Sequence, residues 1–129
     1  MIINYHQSEQ AAHALVAELG ERAWALQADV RDAAQVQALV AQAQRLAGQP
    51  LAGVVNNALV GFSFNGDARD KLDTIRWDGF DAQLRGALQG ALNTLQACLP
   101  GWQARGGGSV VNVGTNLFQN PVVPYHDYT

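Results

Sequence analysis

Two hydroxyl-bearing residues near the end of the chain have a spacing that would let them act on one carbonyl group. Thr115 follows residues 109–113, a β-branched run next to glycines that predicts a buried strand. Tyr128 lies 13 residues beyond Thr115, after the turn-forming Asn120-Pro121. Ligands of open parallel sheets bind outside the carboxyl ends of the strands. A hydroxyl and a phenol meeting there would polarise and protonate a carbonyl oxygen.

Strands and helices alternate along the rest of the chain. The predicted strands are residues 2–5, 23–28, 51–55 and 109–113. Ser8 and Gly20 bound the first predicted helix, Asp32 caps the second, which ends near Gly48, and residues 77–103 form one long third helix. This third helix is predicted to turn leucines inward: Leu84, Leu88, Leu92, Leu95 and Leu99. The alternation predicts a single α/β domain with a three-layer, Rossmann-like parallel sheet.

Composition and length restrict the class of protein. The chain has 129 residues, 48% hydrophobic and 15% charged, typical of one globular domain. A net charge of −3 argues against nucleic acid as a partner. The sequence has neither a membrane-spanning apolar run nor a signal-peptide layout, which predicts a cytoplasmic protein without a membrane partner. Cys98 is predicted to be a buried structural thiol, and no residue cluster has metal-ligand spacing.

The segment from residue 109 onward resembles the catalytic stretch of the short-chain dehydrogenase/reductase family, in which a strand, Asn-Ile-Ser-Ser, a loop and Tyr-x-x-x-Lys follow in order. By this resemblance Thr115 takes the place of the catalytic Ser and Tyr128 that of the catalytic Tyr, while the Lys would lie beyond Thr129. The resemblance implies hydride transfer between a nicotinamide cofactor and a carbonyl or alcohol carbon. It is closest to 3-oxoacyl-[acyl-carrier-protein] reductases of fatty acid biosynthesis, which implies a 3-oxoacyl thioester or similar ketone as substrate.

Two further segments resemble cofactor-binding motifs of that family. Asp29 and Val30 follow the second predicted strand; by resemblance Asp29 contacts the adenine ring and the backbone of Val30 lines its pocket, although Asp is also common in turns. Asn56, Asn57 and Ala58 resemble the start of Asn-Asn-Ala-Gly, which supports the sheet and approaches the cofactor ribose. Leu59 replaces the Gly. Asn after a strand is also a frequent turn residue.

The end of the first strand bears on the choice of cofactor. Asn4 stands where NAD-preferring members carry an Asp for the ribose 2′-hydroxyl, and Tyr5, His6 and Ser8 follow it. Without a carboxylate there is no repulsion against a 2′-phosphate. The resemblance therefore implies NADP as cofactor, with NAD as the alternative.

Several departures from the family pattern affect the expected activity. By resemblance the chain enters the family fold at its second strand, without the first strand and its glycine-rich loop. That strand is central in the order 3-2-1-4-5-6, so the chain alone is expected to be marginally stable, aggregation-prone or re-paired as 3-2-4-5. By resemblance Ala87 stands where the family carries an Asn that anchors a proton-relay water. The relay is therefore lost unless Gln83 rebuilds it. Together with the Lys position, this predicts a weakly active or inactive fragment.

The resemblance also leaves a second class of function open. In the family the long helix packs against its counterpart in a dimer interface, which implies a parent homodimer or homotetramer. The alternative to a reductase is therefore a non-catalytic module that binds a cofactor or dimerises.

Overall fold

Four short parallel strands form two separate two-stranded sheets in the computed structural model, which describes residues 1–59, 61, 70–119 and 127. β1 (Ile2–Tyr5) pairs with β2 (Trp24–Gln27), and β3 (Gly53–Asn56) pairs with β4 (Ser109–Asn112). The bounds of the four strands lie within about two residues of those predicted from the sequence. The predicted α/β class with parallel pairing is confirmed.

The first two helices begin and end where their capping residues predict. α1 spans Glu9–Leu19, and α2 spans Ala33–Ala47. The carboxylate of Asp32 accepts hydrogen bonds from the backbone N–H groups of Ala34 and Gln35, at 2.9 and 3.1 Å. Ser8 precedes α1 but makes no side-chain cap hydrogen bond.

This difference between the two caps gives a first prediction. Asp32→Ala should lower the urea midpoint of unfolding, because two N–H groups at the start of α2 lose their acceptor. Ser8→Ala is the matched control and should leave the midpoint unchanged. Equal shifts of the urea midpoint in the two variants would show that the Asp32 cap does not stabilise the fold.

The third helix extends from Trp77 to Arg105, which confirms the predicted long helix, but its hydrogen-bonding pattern changes part-way along. α3 (Trp77–Leu84) continues into a π-helical segment (Arg85–Gln89) and then into α4 (Gly90–Arg105). The N–H of Gly90 donates to the carbonyl of Arg85, five residues earlier. Such π-turns inside α-helices occur frequently at functional sites.

The face that this helix buries also differs from the prediction. Leu84, Leu88, Leu92 and Leu99 are 46%, 66%, 53% and 49% exposed, not inward-facing. The buried residues of α4 form a different stripe: Gly90, Asn93, Thr94, Cys98 and Trp102. A glycine is needed at the first position of this stripe, because a Cβ at Gly90 would lie 2.9 Å from Cγ2 of Val30.

The core lies where α2 packs on α4. Val36, Val40, Cys98 and Trp102 form its buried cluster. The indole Nε1 of Trp102 donates to the carbonyl of Leu51 at 2.8 Å, which satisfies its only polar group. Burial raises the pKa of the Cys98 thiol, and its buried position agrees with the predicted structural role.

The two sheets do not join within the described residues, so the alternative in which the strands re-pair as 3-2-4-5 is wrong, while marginal stability and aggregation stay predictions. β1 pairs with β2 alone and β3 with β4 alone. Residues 109–113 are also not the buried strand that the sequence predicts: Val110, Val111 and Val113 are 40%, 52% and 54% exposed. β4 has β3 as its one hydrogen-bonded neighbour among the described strands, and an edge strand keeps much of its surface open. Within the described part of the chain, no helix has the length and apolarity needed to cross a bilayer.

Candidate functional site

The ends of β3 and β4 are joined by their final asparagines. Asn56 and Asn112 are register partners, and Nδ2 of Asn56 donates to Oδ1 of Asn112 at 2.8 Å. The N–H of Val113 continues the pairing by donating to the carbonyl of Asn56 at 2.9 Å. Asn112 was not predicted as a site residue. Its signal in the sequence is that each of two paired strands ends in Asn.

Helix α4 contacts the turn after β2 and the end of β3. Nδ2 of Asn93 donates to the carbonyl of Val30 at 2.8 Å, and the hydroxyl of Thr94 lies 2.8 Å from Oδ1 of Asn56. Neither helix residue was predicted from the sequence. The neighbouring sequence does not distinguish a buried pair of polar residues on a helix from an exposed pair, so these contacts could not be predicted from the sequence.

Asp29 is held in the turn after β2 by a bidentate ion pair. Its Oδ1 accepts from the backbone N–H and Nε of Arg31 at 3.0 and 2.9 Å, and its Oδ2 accepts from Nη2 at 2.6 Å. Nε2 of His6 lies 3.8 Å from the same Oδ2. Hydrogen bonding to Arg31 lowers the pKa of Asp29 to about 2. Asp29 is therefore an ionised hydrogen-bond acceptor at neutral pH, flanked by the guanidinium of Arg31 and the imidazole of His6.

The lowered pKa of Asp29 predicts a specific acid response. A carboxyl group whose pKa is about 2 folded and 3.8 unfolded stabilises the fold above about pH 4 and loses that contribution between about pH 4 and pH 2. In Asp29→Asn the free energy of unfolding should fall by about 1 kcal/mol at pH 7, after solvent screening, and vary less below pH 4. Urea unfolding at a series of pH values measures both effects.

A second Asp–Arg pair with the same spacing provides the control. Nη2 of Arg76 lies 3.4 Å from Oδ2 of Asp78, and the two side chains are 80% and 82% exposed. Asp78→Asn should leave the acid response unchanged, because exposed pairs contribute little. If both variants gave the same pH curve, the stabilising role of the Asp29 pair would be wrong.

The predicted residues at the end of β1 contact the neighbouring strand. Nδ2 of Asn4 donates to the carbonyls of Leu26 and Ala28 at 3.2 and 3.1 Å, and the carbonyl of Tyr5 accepts from the N–H of Ala28 at 2.9 Å. The amide nitrogen of Asn4 thus fixes the end of β1 to β2. Ser8 is exposed at the start of α1.

The motif after β3 presents its last residues to solvent. Asn57 and Ala58 are exposed, and Leu59, in the place of the family's Gly, is 53% exposed. Ala87 is exposed within the π-helical segment. The irregular part of the helix therefore includes the position where the resemblance places an Asn.

Thr115 begins the turn that follows β4. Its hydroxyl oxygen accepts from the N–H of Leu117 at 3.1 Å and starts the short 3₁₀ helix Asn116–Phe118. A hydroxyl that accepts one hydrogen bond still has its own hydrogen to donate. Tyr128 lies outside the described residues, so the predicted meeting of the two hydroxyl groups stays a prediction. Among the residues that the structure describes, no group of three His, Cys, Asp or Glu side chains could hold a metal ion.

Comparison with known proteins identifies the family of the chain. A family model described as short chain dehydrogenase matches residues 1–129. The chain belongs to the short-chain dehydrogenase family. The resemblance seen in the sequence is thereby confirmed, and the Rossmann-like fold class with it.

One relative in this family has a curated name. The chain is 33% identical over 105 residues to a protein of Xanthobacter autotrophicus (strain ATCC BAA-1158 / Py2) named inactive 2-(S)-hydroxypropyl-CoM dehydrogenase 2. The match covers 81% of this chain and 42% of the relative. The chain therefore spans less than half the length of this relative.

Solved structures of similar proteins were crystallised with nicotinamide cofactors. A gluconate 5-dehydrogenase from Burkholderia cenocepacia J2315, in complex with NADP and tartrate, is 28% identical with a TM-score of 0.70, covering 95% of this chain and 45% of that one. A blue fluorescent protein from a metagenomic library, in complex with NADPH, is 30% identical with a TM-score of 0.70, covering 92% and 46%. A 3-ketoacyl-(acyl-carrier-protein) reductase from Brucella melitensis, complexed with NADH, has a TM-score of 0.82 at 22% identity, covering 98% and 51%, and supports the fold alone.

Proposed function

We propose that this chain is part of an NADP(H)-dependent oxidoreductase that reduces a ketone to an alcohol. The observation that carries the proposal is the hydrogen-bonded group at the strand ends. There α4 forms hydrogen bonds with Asn56 and with Val30, and Val30 follows Asp29 and its ion pair in the chain. Ligands of parallel α/β sheets bind at this edge.

The residues at this edge fit the adenosine end of such a cofactor. The ionised Asp29 would accept a hydrogen bond from the adenine amino group, and Asn57 and Ala58 would approach the ribose. Asn4 offers no carboxylate that would repel a 2′-phosphate. The side chains of His6 and Arg31 both contact Asp29 in the turn after β2. This set favours NADP over NAD.

Thr115 and Tyr128 would carry the reaction at the carbonyl group. A bound nicotinamide supplies the hydride. The hydroxyl oxygen of Thr115 accepts from the N–H of Leu117, so its own hydrogen remains available and would be donated to the substrate oxygen. Tyr128 would then donate a proton to that oxygen. We expect slow turnover, since Ala87 has no side-chain group to hold a relay water.

Cofactor binding gives the experiment that tests the proposal. The melting temperature of the 129-residue chain should rise with NADPH, and rise less with NADH at the same concentration. At 100 times the dissociation constant the added stability is about 2.7 kcal/mol. If neither cofactor changed the melting temperature, the proposed function would be wrong.

The substrate class is a further part of the proposal. A 3-oxoacyl thioester follows from the resemblance, whereas the named relative and the gluconate 5-dehydrogenase have other substrates in their names. NADPH oxidation should therefore be compared between a 3-oxoacyl thioester and a polyhydroxy ketone. Faster oxidation with the polyhydroxy ketone would contradict the thioester assignment. The cytoplasmic location stays a prediction from the sequence.

A second candidate function, self-association, is favoured by the exposed leucines of the long helix. Leu84, Leu88, Leu92 and Leu99 form an apolar stripe along α3, the π-helical segment and α4. Such a stripe is typical of a helix that packs against another copy. We propose that it contributes to a homodimer or homotetramer of the parent protein.

Disrupting the leucine stripe tests this second function. Leu88→Glu combined with Leu92→Glu should reduce the mass in solution to that of a monomer, as measured by light scattering. Gln96→Glu, at another exposed position of α4, is the control and should not change the mass. A wild-type chain that is already monomeric at high concentration would exclude self-association through this stripe.

A further inference from the structure

The first turns of α4 place two adjacent polar side chains inside the protein. Asn93 and Thr94 are only 7% and 9% exposed. Buried polar groups are costly unless they are hydrogen-bonded, and both of these are. Their long-range partners lie outside α4. They lie at the ends of two different strands.

Asn93 holds the turn after β2. Its Nδ2 donates to the carbonyl of Val30 at 2.8 Å across 63 positions of sequence. Gly90, three residues earlier, lets the helix approach the same residue, since a Cβ there would lie 2.9 Å from Cγ2 of Val30. The backbone and the side chain of Val30 are therefore both fixed by α4.

Thr94 holds the end of β3. Its hydroxyl lies 2.8 Å from both Oδ1 of Asn56 and the carbonyl of Ala91, and its single hydrogen can serve one of them at a time. Asn56 in turn donates to Asn112 at 2.8 Å. The Asn56 side chain is thus fixed between α4 and the end of β4.

We infer that Asn93 and Thr94 are positioning residues for nucleotide binding, acting through Val30 and Asn56. Because the two residues are adjacent on one helix, a single element sets the spacing between the two strand ends. Apolar side chains of the same size would fill the space without fixing a turn. This inference rests on the proposed function for its ligand, while the contacts themselves are independent of it.

The experiment uses Asn93→Leu and Thr94→Val in the full chain, with Thr94→Ser as the conservative variant. Backbone amide exchange by NMR and the dissociation constant for NADPH are measured for each. Asn93→Leu should speed exchange at residues 29–31, Thr94→Val should speed it at residues 56–57, and each should raise the dissociation constant about tenfold. Thr94→Ser should behave like wild type.

Cys98→Ala is the control for a general loss of stability, because Cys98 is buried on the same helix within the core cluster. It should lower stability without raising the dissociation constant. If Cys98→Ala raised the constant as much as Asn93→Leu, or if exchange at the two strand ends did not change, the positioning role would be overturned. If the wild type bound no NADPH, the proposed function and the nucleotide role would both fail, while exchange would still decide whether α4 holds the two turns.

Discussion

Replacing Trp102 by alanine is expected to lower the free energy of unfolding by about 3–5 kcal/mol, a large part of the stability of a small domain. Trp102 is 8% exposed and packs on Val36, Val40 and Cys98. Its indole also donates to the carbonyl of Leu51. The alanine variant loses the packing between α2 and α4 and leaves that carbonyl without its indole donor. Urea unfolding followed by circular dichroism measures the loss.

Two further variants separate the causes of this effect. Trp102→Phe keeps an aromatic ring but loses the Nε1 donor, so it should cost about 1–2 kcal/mol. Trp77, which is 70% exposed, is the matched control, and Trp77→Ala should have almost no effect. Equal losses in Trp77→Ala and Trp102→Ala would contradict the assignment of the core to the contact between α2 and α4.

The start of β4 depends on the same indole ring. A Cβ at Gly108 would overlap the ring of Trp102, so this position requires glycine for a steric reason. The residue before β4, the strand that leads to Thr115, therefore packs directly on the core residue Trp102. Loss of this contact would also displace the candidate site.

Thr115→Val is expected to reduce the rate of ketone reduction by about 100-fold or more, the second large effect. Valine preserves the branched shape but cannot donate a hydrogen bond to the substrate oxygen. Thr115→Ser preserves the hydroxyl and its bond from Leu117, so it should retain most of the rate. The measurement is the loss of NADPH absorbance at high protein concentration, which makes slow turnover detectable.

Cofactor affinity serves as the control for this variant. The dissociation constant for NADPH should be the same in Thr115→Val and wild type, because Thr115 is assigned to the carbonyl group and not to the cofactor. Tyr128→Phe should reduce the rate at least as much, since it removes the proton donor. A wild-type rate in Thr115→Val would exclude the role given to this hydroxyl.

The parts of the fold that local chemistry determines were predicted from the sequence. Asp32 and Gly48 bound α2 as expected, because a carboxylate cap and a glycine with positive φ act within one turn. The positions of β1, β3 and β4 follow in the same way from short β-branched runs between turn residues, whereas β2 contains no β-branched residue.

Which face of the long helix is buried could not be predicted, because the helix carries two stripes of residues that could each pack against the core. The leucine stripe has the stronger apolar pattern, but the small residues near Gly90 allow the closer approach to Val30. The π-helical segment adds to the difficulty, since it changes the helical phase between Leu84 and Gly90. Sequence periodicity assumes one phase throughout.

The candidate site was predicted in part. Asp29 and Val30 lie in the turn after β2, and Asn56 is the last residue of β3, as expected from the predicted strand positions. Their partners Arg31, Asn93 and Thr94 were missed, since the two helix residues act over long sequence separations. The burial of β4 was overestimated because the number of strands beside it is not a local property.

The most direct test of the cofactor-binding edge is an NMR titration of the 129-residue chain with NADPH. We expect the amide signals of residues 4–8, 29–31 and 56–58 to shift together with one dissociation constant, while signals along the leucine stripe stay in place. Shifts confined to the leucine stripe, or no shifts at saturating NADPH, would contradict this expectation.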